Sequence, residues 1–438
     1  MNLGAMRRFE FVGRELDIDQ GRLKLSYRLV GETDQLLLEE RFDFGPPEFP
    51  APKPALDAAL DLLHWIAGVS YWKLACAGAV HYRDSTPSRP QARALESLYR
   101  DGLAELAWRN RIEGRYWPVF RADHHADPSA IVPFELPRRT LVPMGGGKDS
   151  LVALARVRRA GIEPETVQVG SAELIARVAE RAGTRHRIIA RRLDPQLAAL
   201  NAEGALNGHV PITAINAAAL VVASLLWGFD SVVFANERSA DSPTLVAADG
   251  RRVNHQFAKS CAFEESFDRW VRESIAPGLS VFSILRRDRE LAVCREFAGL
   301  TEFHDVFSSC NRNFHLDGAR TQRWCGSCPK CRFVFLGLAP FIEPHAMRAI
   351  FGDDLLADSA QADGFAELLE LDGPRPFECV GEADEARAAI VELARQPAWR
   401  EHAVVRMLSG RLDGLEVPAL EQLLQPEGPD RRPSRFAA

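Results

Sequence analysis

A basic surplus is missing from this sequence. Its 54 lysines and arginines are outweighed by 60 aspartates and glutamates, for a net charge of −6. Proteins that coat nucleic acid or anionic membranes draw affinity from the opposite balance, so neither is expected as a partner. The opening MNLGAMRRFEF has no apolar h-region, so no secretion signal is expected and the chain is read as cytoplasmic. Internal repeats are lacking too. Long apolar runs are reduced to one: residues 209–229, HVPITAINAAALVVASLLWGF, contain no Asp, Glu, Lys or Arg. That length would span a bilayer. Pro211, Thr213, Asn216 and Ser224 interrupt it, however, alanine is its main residue, and no second run accompanies it. A buried helix is the expected form.

What is present is ordinary globular material. The 438 residues are 46% hydrophobic and 26% charged, enough for two or three domains with cores of their own. GRLKLSYRLV and QLLLEERFDF read as short strands, followed by the proline-rich connector GPPEFPAPKP. ALDAALDLLHWIAGVSYWKLA has helical apolar spacing, its aromatics more suited to a core than to a binding face. Residues 121–138 read as a linker. From residue 139, strands (RTLVPM, ETVQVG, RHRIIAR, SVVFAN) alternate with helices ended by Gly161 and Gly183. Such alternation implies an α/β fold with a doubly wound parallel sheet and ligands at the strand C-termini. The expected organisation is an N-terminal α+β domain over residues 1–135, the α/β domain over 136–345, and a mostly helical region over 346–438 whose tail, QPEGPDRRPSRFAA, frays.

The stretch VPMGGGKDS ends a strand and opens a helix. Its free N–H groups and the helix dipole favour an anion there, and glycines let the backbone wrap an oxygen-rich group. The Walker spacing is absent, and Asp149 stands where a dinucleotide loop has its last glycine. The loop resembles the PP-loop signature SGGxDS of the ATP pyrophosphatase superfamily, which cleaves ATP between the α and β phosphates. Gly146, Gly147, Asp149 and Ser150 match it, Lys148 takes the variable position, and Gly145 replaces the leading serine, with loss of one hydroxyl donor. The resemblance implies a PP-loop sheet and an ATP site at Gly145, Gly146, Gly147, Lys148, Asp149 and Ser150, with Asp149 helping to position Mg²⁺.

Eight cysteines are spread unevenly, four of them within 22 residues. Cys325, Cys328 and Cys331 form C-x2-C-x2-C, and fourteen residues separate Cys310 from Cys325. Four thiolates suit a structural zinc; a [4Fe–4S] cluster is the second reading, and His315 is a possible substitute ligand. Further polar clusters fall near the expected crevice. They are Asn207 and His209; Asn236, Glu237 and Arg238; Asn254, His255, Gln256 and Lys259; and Asn311, Arg312, Asn313 and His315. Asn236, Glu237, Arg238, Asn311 and Arg312 are the candidate substrate contacts.

Together LLHWIAGVSYWK, LVPMGGGKDSLV, NGHVPITAIN, FANERSA, VNHQFAKS, FSSCNRNFH, RWCGSCPKCRFVFLGLAPF and RPFECVGE resemble one family, the ATP-dependent UDP-N-acetylmuramoyl-L-alanyl-L-glutamate epimerases (MurL). The likeness runs to about residue 410. It implies that the α-carboxylate of a terminal glutamate is adenylated, which acidifies the adjacent carbon and permits its inversion. AMP and diphosphate would be released, with UDP-MurNAc-dipeptide and ATP as the small-molecule partners. Candidate bases are His209, His255 and Lys259, acting beside Asp149. Cys310 is either a metal ligand or a racemase-like thiol. A PP-loop nucleobase- or tRNA-modifying enzyme is the alternative, and a nucleotide-sensing module the third reading.

Overall fold

The computed structural model describes residues 3–112, 117–122, 133–314 and 322–437. Alternation builds the first strands, β1 (Arg8–Asp17), β2 (Arg22–Val30) and β3 (Gln35–Asp43). In β2 every second side chain, Leu23, Leu25, Tyr27 and Leu29, is buried, so one face of the meander is apolar and needs a cover. The helix Lys53–Ala67 supplies it, with Ala59, Leu62, Leu63 and Ile66 inward. Trp65, Tyr71 and Trp72 are core residues, as the aromatic-rich stretch suggests.

The short β4 (Ala79–Tyr82) runs parallel to β1. Beyond it come β5 (Thr140–Pro143), β6 (Glu165–Val169), β7 (His186–Arg192) and β8 (Ser231–Phe234). A small ribbon, β9 (Leu245–Val246) and β10 (Arg252–Val253), precedes the last strand, β11 (Ser280–Ser283). Nine strands form one sheet in the order β11-β8-β5-β6-β7-β3-β2-β1-β4. The five from β11 to β7 are mutually parallel, whereas β7–β3, β3–β2 and β2–β1 are antiparallel.

The expected N-terminal sheet is therefore not separate. β3 adds to the edge of β7, pairing Phe42 with Arg191, and a fully buried Glu40 carboxylate takes an ion pair from Arg191 at the seam. Pairing between residues some 150 positions apart leaves no local pattern, so the sequence alone suggests two sheets where one exists.

Successive residues of the parallel strands face opposite ways. Leu141, Val232 and Val281 join the core around the helix Ile212–Trp227, while Val142, Val233 and Phe282 join the core around the helix Lys148–Arg159. Both faces are thus covered, as a parallel sheet requires. Thirteen of the sixteen residues in Ile212–Trp227 are buried, consistent with the expected buried helix, and Gly228 ends it at φ 74°. No helix among the described residues is long and apolar enough to cross a membrane. The strand order reverses between β5 and β8, which opens a crevice at their C-terminal ends.

The C-terminal region is helical: Pro344–Phe351, Ala362–Leu368, Ala383–Arg395 and Ala403–Arg411. Its tail does not fray. Phe436 is 1% exposed against Phe282, and Arg435 bonds Asp230 at 2.6 Å, so an aromatic anchor overrides the polar composition that suggested disorder. Phe436→Ala should destabilise the chain by about 3 kcal/mol. Urea unfolding measures this, and a change below about 0.5 kcal/mol would show the tail to be undocked.

Candidate active site

The glycine loop occupies the crevice at the strand-order reversal. β5 stops at Pro143 and the next helix begins at Lys148, so residues 144–147 turn the chain at the sheet's C-terminal edge. Gly147 is the N-cap and has no side chain with which to bind the first-turn N–H groups, which suits them to an anion. Two of the three glycines are needed, for different reasons. Gly146 sits at φ 77°, in the left-handed region. A Cβ on Gly147 would lie 2.5 Å from Ser309 Oγ, whereas one on Gly145 would meet nothing within 4 Å. Ser308 N also donates to Gly146 O at 3.0 Å. The Ser309 hydroxyl thus stands against a loop that lacks the leading serine of the PP-loop pattern. Ser150 Oγ donates to Gly147 O at 3.1 Å and braces the turn from within.

Lys148, at the variable position of the expected ATP loop, points inward. Its side chain is 0% exposed and ion-paired to both Asp149 and Glu290. Desolvation opposes its charge, but the two carboxylates outweigh burial and hold its pKa well above the ordinary lysine value. Asp149 keeps 24% of its side chain exposed, so it serves both the buried pair and the crevice. Burial pushes its pKa up, but Lys148, Lys330 and Lys259 hold it below the usual value. Glu237, three residues beyond the end of β8, is 2% exposed, and its Oε1 is without a hydrogen-bond partner. Desolvation first, then Glu290, pushes it up to about 7.

The three candidate bases separate electrostatically. Desolvation and the neighbouring His255 lower His209 to about 3, leaving it neutral at pH 7. His255 is depressed by burial but raised further by Cys379 and Glu105, ending at about 9, so it is a cation. Lys259 is likewise held charged: desolvation is outweighed by Cys379, Glu237, Asp149 and Glu290. A lysine in that setting does not offer the neutral amine expected of a base. The rings of His209 and His255 lie 4.0 Å apart, and His255 Nδ1 is bonded to the Glu105 carboxylate.

One residue at this centre was not a candidate: Cys379. Its thiol contacts His255, and its carbonyl accepts from Lys330 Nζ. The surrounding strap is tightly held. Arg375 bonds Pro243 O at 2.9 Å and Gly381 O at 2.5 Å, and Asn311 bonds Glu378 at 2.6 Å. The only sequence signal was RPFECVGE, which carries no general chemical pattern.

The four clustered cysteines meet. Every pair of their sulfurs lies within 4.8 Å, and Cys325 and Cys331 are 3.7 Å apart, so the group could hold a metal. Cys310 belongs to this group, the arrangement expected of a metal ligand. Cys328 caps the helix Pro329–Leu338 and so orients Lys330, whose Nζ also lies 3.6 Å from Glu290. Other candidates make contacts within the frame. Arg238 pairs with Glu427 of the tail, Asn236 O accepts from Ser283 Oγ at 2.6 Å, and Asn313 bonds Ser308. Asn254 bonds Ala240 O, Gln256 bonds Val380 O, and Asn207 accepts from Lys73. Arg312 is exposed on a short turn, and His315 lies outside the described residues. A cavity of about 480 Å³ lined by Glu264, Glu265, Asp268, Arg269, Arg272 and Arg431 shares no residue with the crevice.

The loop's glycines are testable one by one. Gly146→Ala should cost about 1–2 kcal/mol from its left-handed backbone, whereas Gly145→Ser should stay within about 0.5 kcal/mol. Equal losses in chemical denaturation would refute this account of the turn.

The sequence was compared with known proteins. The model of the MurL N-terminal domain matches residues 1–284 and that of the MurL C-terminal domain matches residues 306–422. Three relatives bear the name UDP-N-acetyl-alpha-D-muramoyl-L-alanyl-L-glutamate epimerase. That of Xanthomonas oryzae pv. oryzae is 44% identical over 86% of this chain and 84% of its own length. Those of Salinispora tropica and a Micromonospora species are 39% and 38% identical, each over 99% of this chain and over 96% and 98% of their own lengths. A glycine loop at the strand-order reversal, a four-thiol cluster and matches spanning both halves together place the chain in the MurL family.

Proposed function

We propose that this chain inverts the α-carbon of the terminal L-glutamate in UDP-MurNAc-L-Ala-L-Glu, with ATP as a co-substrate cleaved to AMP and diphosphate. The relatives' shared name supports the overall reaction. The observation that carries the ATP step is the uncapped helix N-terminus at Lys148, opened by three glycines at the end of β5. Backbone N–H groups there would hold the diphosphate portion, Ser150 and Ser309 would add hydroxyls, and Asp149 would bind Mg²⁺. The parallel sheet would then be of the PP-loop type, with Asn236 and Glu237 on the facing strand end.

The chemistry requires activation. Removing a proton from Cα beside a free carboxylate would place two negative charges on adjoining atoms. Adenylation of that carboxylate removes one charge before the second forms, and the proton then becomes accessible to a side chain of ordinary basicity. Lys259 and Lys330, both cationic neighbours of Asp149, would stabilise the resulting enolate oxygen. The cysteine cluster is read as structural zinc. Zn–S bonds of about 2.3 Å at tetrahedral angles put sulfurs roughly 3.8 Å apart, and Cys325 and Cys331 lie 3.7 Å apart. A four-iron cubane would sit between its thiolates and spread them further.

Incubation with UDP-MurNAc-L-Ala-L-Glu, ATP and Mg²⁺ in D₂O should yield α-deuterated D-glutamate, after hydrolysis, in step with AMP. AMP formation without inversion would sink the proposal. Asp149→Asn should lower AMP release at least ~100-fold in a folded chain. Elemental analysis should find one zinc per chain, lost in Cys331→Ser; stoichiometric iron would overturn the zinc assignment.

A further inference from the structure

We propose that Cys379 is one of the two proton-transfer groups at the inverted carbon, with His255 and Glu105 as its positioning residues. This rests on the epimerase reading above. Inversion requires a proton to leave one face of Cα and another to arrive on the opposite face, so two groups must flank the carbon. Two suitable groups neighbour Lys259.

One is the thiol of Cys379. Glu105 carboxylate engages His255 Nδ1, which leaves the other ring nitrogen for Cys379, so three residues from distant parts of the chain form a carboxylate–imidazole–thiol relay. The neutral His209, its ring tilted 40° against that of His255 at 4.0 Å, limits the freedom of that imidazole. Lys259 and Lys330 face the same cysteine, and no carboxylate is among the groups acting most strongly on it. Burial raises the thiol's pKa, but Lys259, His255 and Lys330 bring it down to about 6, so the thiolate dominates at neutral pH. The strap is clamped by Arg375, Asn311 and Lys330, and the Cys379 backbone is thus held in place. Lys330 links that clamp to the cysteine cluster through the helix that Cys328 caps.

The other is Glu237, 2% exposed with an oxygen lacking a partner and with the same Lys259 beside it. A carboxyl pushed up to about 7 can give a proton as readily as take one. The balance of the step is simple. The thiolate takes the α-hydrogen as a proton, the C–H electron pair moves into the enolate of the activated glutamate, and an S–H bond forms. A proton delivered to the opposite face, with Glu237 the proposed donor, then makes the new C–H bond as the enolate electrons return. Cys379 returns its proton to solvent, the His255 cation again stabilising the thiolate, and the donor is reprotonated from solvent. No oxidant or second co-substrate is required.

The test uses the full chain with UDP-MurNAc-L-Ala-L-Glu, ATP and Mg²⁺, comparing wild type with Cys379→Ala and Cys379→Ser. Inversion should fall at least ~100-fold in both variants, while dipeptide-dependent diphosphate release persists and the thermal midpoint is unmoved. Iodoacetamide should label Cys379 in wild type with a midpoint near pH 6, rising towards that of a free thiol in His255→Ala. Inversion within about fivefold of wild type in Cys379→Ala would overturn the proposal. So would loss of diphosphate release in a folded variant, which would place Cys379 in adenylation. A dipeptide adduct on Cys379 in the mass spectrum would make it a nucleophile and likewise overturn the proposal. Wild-type diphosphate release without inversion would instead mark failure of the epimerase reading itself, and the proposal would fall with it.

Discussion

The buried ammonium of Lys148 is the constraint on which the crevice depends. A charge with no exposure must be paired, because the interior does not solvate it and removal of one partner of a buried ion pair typically costs about 3–5 kcal/mol. Its partners are Asp149, the next residue of the loop, and Glu290, the first residue of the helix Glu290–Ala298. The glycine loop is thereby pinned to an element 142 residues away. Glu290 also faces Lys330, which is oriented by the cysteine cluster and holds Cys379. One chain of contacts therefore joins the turn, the thiol cluster and the strap.

That chain assigns work to the C-terminal third. Its helices do more than cover the sheet. Glu385, fully buried, accepts from Ser239 Oγ at 2.7 Å and from Leu291 N at 2.9 Å, tying the helix Ala383–Arg395 to the back of the crevice. The strap just before that helix then delivers Cys379 to His255. A metal in the cysteine cluster would act on the chemistry only at a distance, through the rigidity of Lys330.

The legible parts were those with local causes. Period-2 alternation marked β2 and β3, helical spacing marked Lys53–Ala67, a charge-free apolar run marked Ile212–Trp227, and Gly161 and Gly183 proved to lie at positive φ where helices end. The C-x2-C-x2-C spacing located the thiol cluster, and its remote partner Cys310 was found because few other cysteines lay near. The misread parts had long-range causes. The union of β3 with β7 depends on a ladder between distant strands. Docking of the tail depends on Phe436 finding Phe282. Polar residues such as Arg238 and Asn313 could be grouped by sequence but not assigned, because an exposed cap and a ligand contact share one composition.

By itself the sequence determined the kind of sheet, the turn that suits phosphate, the set of four thiols and the family, since each is written in neighbouring residues or in motifs long enough to be specific. Tertiary structure alone decided which groups are charged and which meet. The ionisation of His209, His255, Lys259, Glu237 and Cys379 is set by burial and by partners from other segments. Electrostatic coupling falls off with distance in space, not along the chain, so Cys379 became visible only once folding had set it beside a histidine 124 positions before it.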